Sequence, residues 1–324
     1  MMRTSKMHGF GSLRINMTNI SIILVNWNGK KDTLACLASL RQVKSQKSPP
    51  KADQPLAEKV KSIIVDNGST DDSVEVIREK FPDVEVLETG KNLGFVGGNN
   101  VGIRRALEGG ADFVWLLNND TSVDKNALVA LLEACKDPRV GIAGSKIYFA
   151  SGREYHKERY TKEDRGHVLW YAGGLIDWQN MYASHRGVDE VDKGQYDKTE
   201  ETPFITGCSM MVKKQVFGKV GLLDEIFFAY LEDVDFCLRA KRAGYKLLYV
   251  PQSVVWHKNA GSSGVGSGLH QYYMTRNRLL VGMRYASLRT KFALTREAWR
   301  FVLTGPSIRR KAVIDAMTGK WGKA

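Results

Sequence analysis

Two short apolar runs in this chain end in the same way, and that shared ending restricts the fold more than any other feature. Ser62 to Val65 runs straight into Asp66, Asn67, Gly68, Ser69 and Thr70. Phe113 to Leu117 runs into Asn118, Asn119 and Asp120. Short runs that are apolar throughout read as strands buried on both faces, the habit of parallel sheets. Their polar ends then fall together at the carboxyl edge of the sheet, where open α/β folds hold their ligands.

The intervening segments agree. Asn19 to Val25 reads as a central strand, followed by Asn26, Trp27, Asn28 and Gly29. Lys31 to Arg41 carries Leu34, Leu37 and Leu40 at helical spacing. A second helix starts near Ser69–Asp72, where short polar side chains can satisfy the first free amides, and runs to about Lys80. Val84 to Leu87 reads as another strand, Gly94, Gly97 and Gly98 open a helix, Asp124 to Cys135 forms one more, and Tyr245 to Pro251 and Ser253 to Lys258 read as two late strands. Repeating β-α units with short connections specify an α/β fold, a mostly parallel central sheet flanked by helices.

Around this core the sequence marks four irregular regions. Residues 1–18 are basic and lack the apolar stretch of a secretory signal, which predicts a flexible leader. Residues 43–60 hold three prolines and no apolar period, which predicts a mobile insertion in a main domain over 19–283. Residues 150–200 break the β-α rhythm and read as a long excursion over the donor and acceptor site. Of the net charge of +13, about +8 lies in residues 284–324, where ten Lys or Arg face only Glu297 and Asp315. Trp299, Phe301 and Trp321 interleave with that charge, so a basic amphipathic helical tail on an anionic membrane surface is expected rather than a nucleic-acid arm. A solvated helix packed on the domain explains the tail almost as well. The apolar runs are shorter than the roughly 20 residues of a membrane span. Cys36, Cys135, Cys208 and Cys237 show no C-x-x-C pairing and read as small buried residues, with a reducing, cytoplasmic compartment as the default.

The candidate chemistry lies at the strand tips. Gly94, Gly97 and Gly98 do not have dinucleotide or P-loop spacing; they suit either phosphate approach or tight helix–strand packing. Asp120 and His257, each just past a strand, would suit Mn²⁺ or Mg²⁺ if the sheet brings them together. Glu232, Asp233 and Asp235 crowd one helix start; charge at a positive helix end explains some of this, and a general base explains more.

In order along the chain, "SIILVNWN", "IIVDNGSTDDS", "NLGFVGGNNVGI", "LLNNDT", "FITGCSMMVKK", "FFAYLEDVDFCLRAKRAGY", "VWHK" and "YYMTRNRLL" resemble family 2 glycosyltransferases of the GT-A fold, nearest the rhamnosyltransferase-like branch that builds bacterial surface polysaccharides. The resemblance spans roughly 19–285. It implies a nucleotide pocket at Val25, Asn26, Asn28 and Asp66, with Asn92, Gly94 and Asn99 at the ribose and diphosphate. It places Asn118, Asn119 and Asp120 at the family's D-x-D motif, with Asp120 and His257 on a divalent ion. Asp233 matches the catalytic base, Glu232 its orienting neighbour, and Arg276 and Asn277 contacts to diphosphate or acceptor. Trp170, Gly173, Gly174, Asp177 and Gly207 are expected in the sugar and acceptor pocket.

The function so implied is inverting, metal-assisted transfer of a sugar to a lipid-linked or polysaccharide acceptor at the inner face of the plasma membrane. The leading donor is dTDP-L-rhamnose; UDP-galactofuranose, UDP-hexose and GDP-mannose remain open, as does a non-catalytic protein that binds glycan or nucleic acid. One departure from the family pattern bears on the metal: Asn118 stands where D-x-D has its first carboxylate, so the site carries one negative charge fewer.

Overall fold

The computed structural model describes residues 18–45, 58–259 and 267–324. The expected leader, Thr18 apart, and residues 46–57 of the expected insertion lie outside the described residues. The chain opens with β1 (Thr18–Asn26), α1 (Lys30–Ser45), β2 (Glu58–Asp66), α2 (Ser73–Lys80), β3 (Glu85–Glu88), α3 (Gly94–Glu108) and β4 (Phe113–Leu117). Then come β5 (Thr121–Val123), α4 (Ala127–Ala134), β6 (Val140–Phe149), β7 (Leu169–Tyr171), β8 (Gly174–Asp177), β9 (Tyr182–His185), β10 (Glu200–Glu201) and β11 (Ser209–Lys213). The last part is α5 (Lys214–Val220), α6 (Glu232–Arg242), β12 (Lys246–His257), α7 (Gly268–Tyr285), α8 (Leu288–Thr304) and α9 (Ser307–Met317).

One large sheet runs in the order β10-β12-β6-β11-β4-β1-β2-β3. Its longest pairings, β1 with β2 and β12 with β6, are parallel, as are β1–β4 and β2–β3. Strand β11 runs against both its neighbours and joins the halves. Every residue of β6 is buried, which its run of small and branched side chains permits. The glycines of α3 settle one open reading: a Cβ at Gly102 would come within 2.5 Å of Ile23 and one at Gly98 within 2.8 Å of Val25. The helix lies on β1 closer than a side chain would allow.

Three expectations change. The two strand-like stretches 245–251 and 253–258 are one strand, β12, whose register on β6 shifts between Val250 and Val254, around Pro251. The expected insertion is shorter at both ends, because α1 continues to Ser45 and β2 begins at Glu58. The tail is two helices, and the preceding helix α7 packs with both. The 150–200 excursion is anchored to the sheet by Lys146, whose ammonium meets Asp192 at 2.7 Å and also pairs with Asp197. It carries the β8–β9 hairpin. All four cysteines are buried. No helix among the described residues is long and apolar enough to cross a membrane.

A buried hydroxyl ladder ties the joining strands together. Trp115 Nε1 of β4 donates to Ser209 Oγ at 3.0 Å; Ser209 bonds Ser145 of β6, which bonds Ser253 of β12, each at 2.7 Å. Ser209→Ala orphans the Trp115 N–H in a dry core and is expected to cost about 1–3 kcal/mol, read as a lower urea midpoint with an unchanged slope.

Candidate active site

Parallel register assembles the strand tips. Asn26, the last residue of β1, sits opposite Asp66, the last of β2. Asn26 Nδ2 donates to Asp66 Oδ1 at 2.9 Å, while Ser69 donates its amide to Oδ2 at 2.9 Å and its hydroxyl to Oδ1 at 2.6 Å. Thr33 donates to Asn26 Oδ1 and accepts from Asn119 Nδ2, both at 2.8 Å, so one hydroxyl links the tips of β1 and β4. Exposed Asn28, at φ 50°, accepts from the amide of Thr70 at 2.8 Å. Val25 lies beneath Gly98. Asn92 accepts from the Gly94 amide at 2.8 Å, starting α3, and buried Asn99 donates to the Phe95 carbonyl one turn earlier. Asp66 and Asn99 are thus engaged mainly with protein, whereas Asn28 is exposed at the rim, its side-chain carbonyl oxygen on the Thr70 amide.

A second group forms where β4 and β12 end. Asp120 Oδ1 and His257 Nε2 approach to 3.0 Å, with Asn118 Nδ2 at 3.4 Å from the same nitrogen. Burial disfavours a charged imidazole here, but Cys208 and Asp120 outweigh it and raise the His257 pKa to about 10. His257 Nδ1 is buried without a hydrogen-bond partner. The Trp170 ring stands edge-on at 4.6 Å from His257 and 4.3 Å from His185. One carboxylate oxygen and one imidazole nitrogen 3.0 Å apart would suit a hard or borderline divalent ion that displaces the proton between them. Among the described residues no cluster of three or more His, Cys, Asp or Glu forms a closed cage, so such an ion would draw its remaining ligands from substrate or water.

The acidic helix start divides into separate jobs. Asp235 is fully buried and structural: it accepts from Arg239, Arg284 and Tyr285 at 2.7–2.8 Å. Asp233 is half-buried, accepting from the amides of Gly207 at 3.0 Å and Val234 at 2.8 Å. Burial still raises its pKa. Glu232 is pushed well above the carboxylate range, by burial and then by Asp233, and its Oε2 has no partner. Residues 206–208 connect the two groups. Gly207 holds Asp233, and the Cys208 carbonyl accepts from the Asn118 amide at 3.0 Å.

Just before α6 the backbone is strained. Phe228, Tyr230 and Leu231 all have positive φ, near 64–68°, at a cost of order 1–3 kcal/mol each. Asn277 Nδ2 donates to the carbonyls of Phe227, Ala229 and Tyr230 at 2.8–3.2 Å. Arg276 donates to the carbonyls of Ile226, Phe227 and Gly322 and to Asn277 Oδ1. This corrects one expectation: Arg276 is fully buried and clamps this loop instead of reaching a diphosphate. The Phe228 carbonyl accepts from the Val96 amide at 3.1 Å, and a Cβ on Gly94 would strike the Phe228 ring at 2.5 Å, so the same loop braces the start of α3.

The remaining pocket residues separate. Trp170 and Gly207 join the site. Gly174, backed by Phe204, and Gly173, beside Arg186, shape the start of the β8–β9 hairpin, while Asp177 is exposed and binds the amides of its own turn. Sequence reasoning did not single out Thr33, Ser69, Thr206 or Cys208, and Asn277, expected at the diphosphate or acceptor, instead holds the carbonyls of Phe227, Ala229 and Tyr230. Ser69, Thr206 and Cys208 lay inside quoted motifs; nothing local marks Thr33, which matters only because Asn119, 86 residues on, folds against it.

A mostly parallel sheet flanked by helices, with polar strand tips at its carboxyl edge, is the frame of the GT-A fold. The chain belongs to the family described as Glycosyl transferase family 2, which matches residues 21–221. It is 31% identical over 226 residues to the N-acetylglucosaminyl-diphospho-decaprenol L-rhamnosyltransferase of Mycobacterium tuberculosis, covering 65% of this chain and 70% of the relative. It is 26% identical to the dTDP-rhamnosyl transferase RfbF of Shigella flexneri, over 68% and 69% of the two chains. Among solved structures, GalNAc-T7 with UDP, GalNAc and Mn²⁺ superposes with TM-score 0.61 at 16% identity, covering 95% of this chain and 55% of that one. The Pyrobaculum calidifontis mannosyltransferase PcManGT, with GDP-Man and Mn²⁺, gives TM-score 0.54 at 15% identity over 94% and 75%.

The clamp generates a prediction. Asn277→Ala frees the Ala229 and Tyr230 carbonyls of the strained loop, so kcat is expected to fall on the order of 10- to 100-fold as Asp233 loses its placement. Nucleotide-diphosphate affinity, measured by calorimetry, stays near that of the wild type.

Proposed function

We propose that the chain catalyses inverting transfer of a sugar, with L-rhamnose from dTDP-L-rhamnose as the leading donor, to a lipid-linked or polysaccharide acceptor at the inner membrane face in surface-glycan synthesis. The observation that carries this reading is the placement of Asp233 and the Asp120–His257 pair on either side of residues 206–208. Two relatives named for rhamnosyl transfer support the donor.

In this reading the polar tips of β1, β2 and β4 receive the nucleotide, with Asn28 and Asn119 at its rim. The start of α3, fixed by Asn92 and Gly94, borders the diphosphate, with its Gly94 and Val96 amides already engaged within the protein. Asp120 and His257 would hold Mn²⁺ or Mg²⁺, which supplies positive charge to a departing diphosphate. Asp233 accepts the proton of the acceptor hydroxyl while that oxygen bonds to the sugar carbon and the bond to the diphosphate breaks. Attack from the face opposite the leaving group inverts the anomeric centre. Glu232 keeps a second buried acid beside Asp233, whose own basicity is held up by burial. Trp170 walls the sugar pocket next to His257.

A base with a raised pKa sets the sign of the pH response. The working form of Asp233 is ionised, so it is lost as pH falls through its folded-state pKa. The acid limb of kcat/KM is therefore expected above the usual carboxylate value of about 4. Asp233→Asn is expected to lower transfer by about 10²–10⁴-fold with nucleotide binding retained. An Asp233→Asn enzyme that transfers sugar at the wild-type rate would contradict the assignment.

A further inference from the structure

The fold leaves one face of α8 uncovered. Leu288, Phe292, Trp299 and Leu303 are 85, 73, 51 and 72% exposed. At about 3.6 residues per turn these four positions lie within about 60° of one another around the axis. They form one stripe along the whole helix, while Thr290, Leu294 and Ala298 bury the other side. Single exposed apolar residues are ordinary; four large ones in line are not. The apolar surface continues past Met283 and Met317 into a groove of about 230 Å³ between α7, α8 and α9, floored by Leu279 and Trp321.

The stripe has charged edges. Arg289, Arg296 and Arg300 run along one side and Lys291 along the other. The single acid of α8, Glu297, is engaged by Arg278 at 2.9 Å. A second copy of this face would bring like charges together, whereas lipid phosphates complement them. The first turn of α8 also abuts the acceptor-side hairpin. Thr290 Oγ1 donates to the Trp178 carbonyl at 3.3 Å, and Arg278 donates to the Asn180 carbonyl at 2.7 Å. That hairpin follows β7, whose Trp170 lies against His257.

We propose that the α8 face is a membrane-docking surface: Leu288, Phe292, Trp299 and Leu303 enter the acyl region of an anionic leaflet, and Arg289, Arg296 and Arg300 meet its phosphates. Its purpose, presenting the site to a lipid-linked acceptor, rests on the function proposed above; the docking itself does not. The test is flotation of the full chain with vesicles of phosphatidylcholine, with and without phosphatidylglycerol, beside calorimetry with dTDP and Mn²⁺. The wild type is expected to float with the anionic vesicles. Phe292→Ser with Leu303→Ser lowers the partition coefficient at least about tenfold, and Arg296→Glu with Arg300→Glu removes the preference for phosphatidylglycerol. Nucleotide binding by both pairs is unchanged. Wild-type protein that does not float, or apolar variants that float equally, overturns the proposal. A concentration-dependent dimer that the apolar variants abolish, with no flotation, overturns it in favour of a second copy. Loss of nucleotide binding with flotation intact would count against the enzymatic reading and leave the docking surface standing.

Discussion

The register of β1 between β2 and β4 is the constraint on which the rest of the structure depends. Ile22 and Ile23 stand opposite Ser62 and Ile63 on one side and Trp115 and Leu116 on the other, all buried. A slip of one residue would turn each buried side chain to the wrong face. The same register sets Asn26 beside Asp66 and lets Thr33 reach Asn119. Packing of the core and alignment of polar groups at the carboxyl edge are therefore one requirement. The close approach of α3 at Gly98 and Gly102 serves both.

The other half of the site depends on distant parts of the chain. Phe228, Tyr230 and Leu231 hold left-handed backbone in the 228–231 loop. The carbonyls of Ile226, Phe227, Ala229 and Tyr230 around them are held by Arg276 and Asn277, some 50 residues further on. Arg276 in turn binds the Gly322 carbonyl, and Tyr273 accepts from the Ala324 amide, so the end of the chain closes the clamp. The C-terminal helices thus act on the acids at the start of α6 as well as on the surface that α8 presents.

Much of the fold was legible because β1, β2, β4 and their helices carry clean apolar periods and end in Asx residues. The glycines of α3 were ambiguous in sequence, since phosphate approach and close packing demand the same residue; only the position of Ile23 separates them. Pro251 reads as a strand end, yet β12 passes it on a bulge because β6 continues alongside. At the site, Asp120 and His257 were each visible as strand tips, but their meeting needed β5 to turn the chain back along β12. Glu232, Asp233 and Asp235 look alike in sequence. Their division follows from Arg284 and Tyr285, which reach Asp235 from α7 and leave Asp233 to Gly207. Arg276 in "TRNR" carried no sign that its donors would turn inward.

The central claim is that the sheet edge is a cation-assisted nucleotide-diphosphate site. Calorimetric titration of the purified chain with dTDP, UDP and GDP, each with Mn²⁺ or with chelator, tests it directly. The account predicts tightest binding of dTDP, weakened by chelator and weakened again in Asp120→Asn. Binding of another nucleotide with the same metal dependence would keep the site and change the donor. No heat with any nucleotide, metal present or absent, would contradict the account.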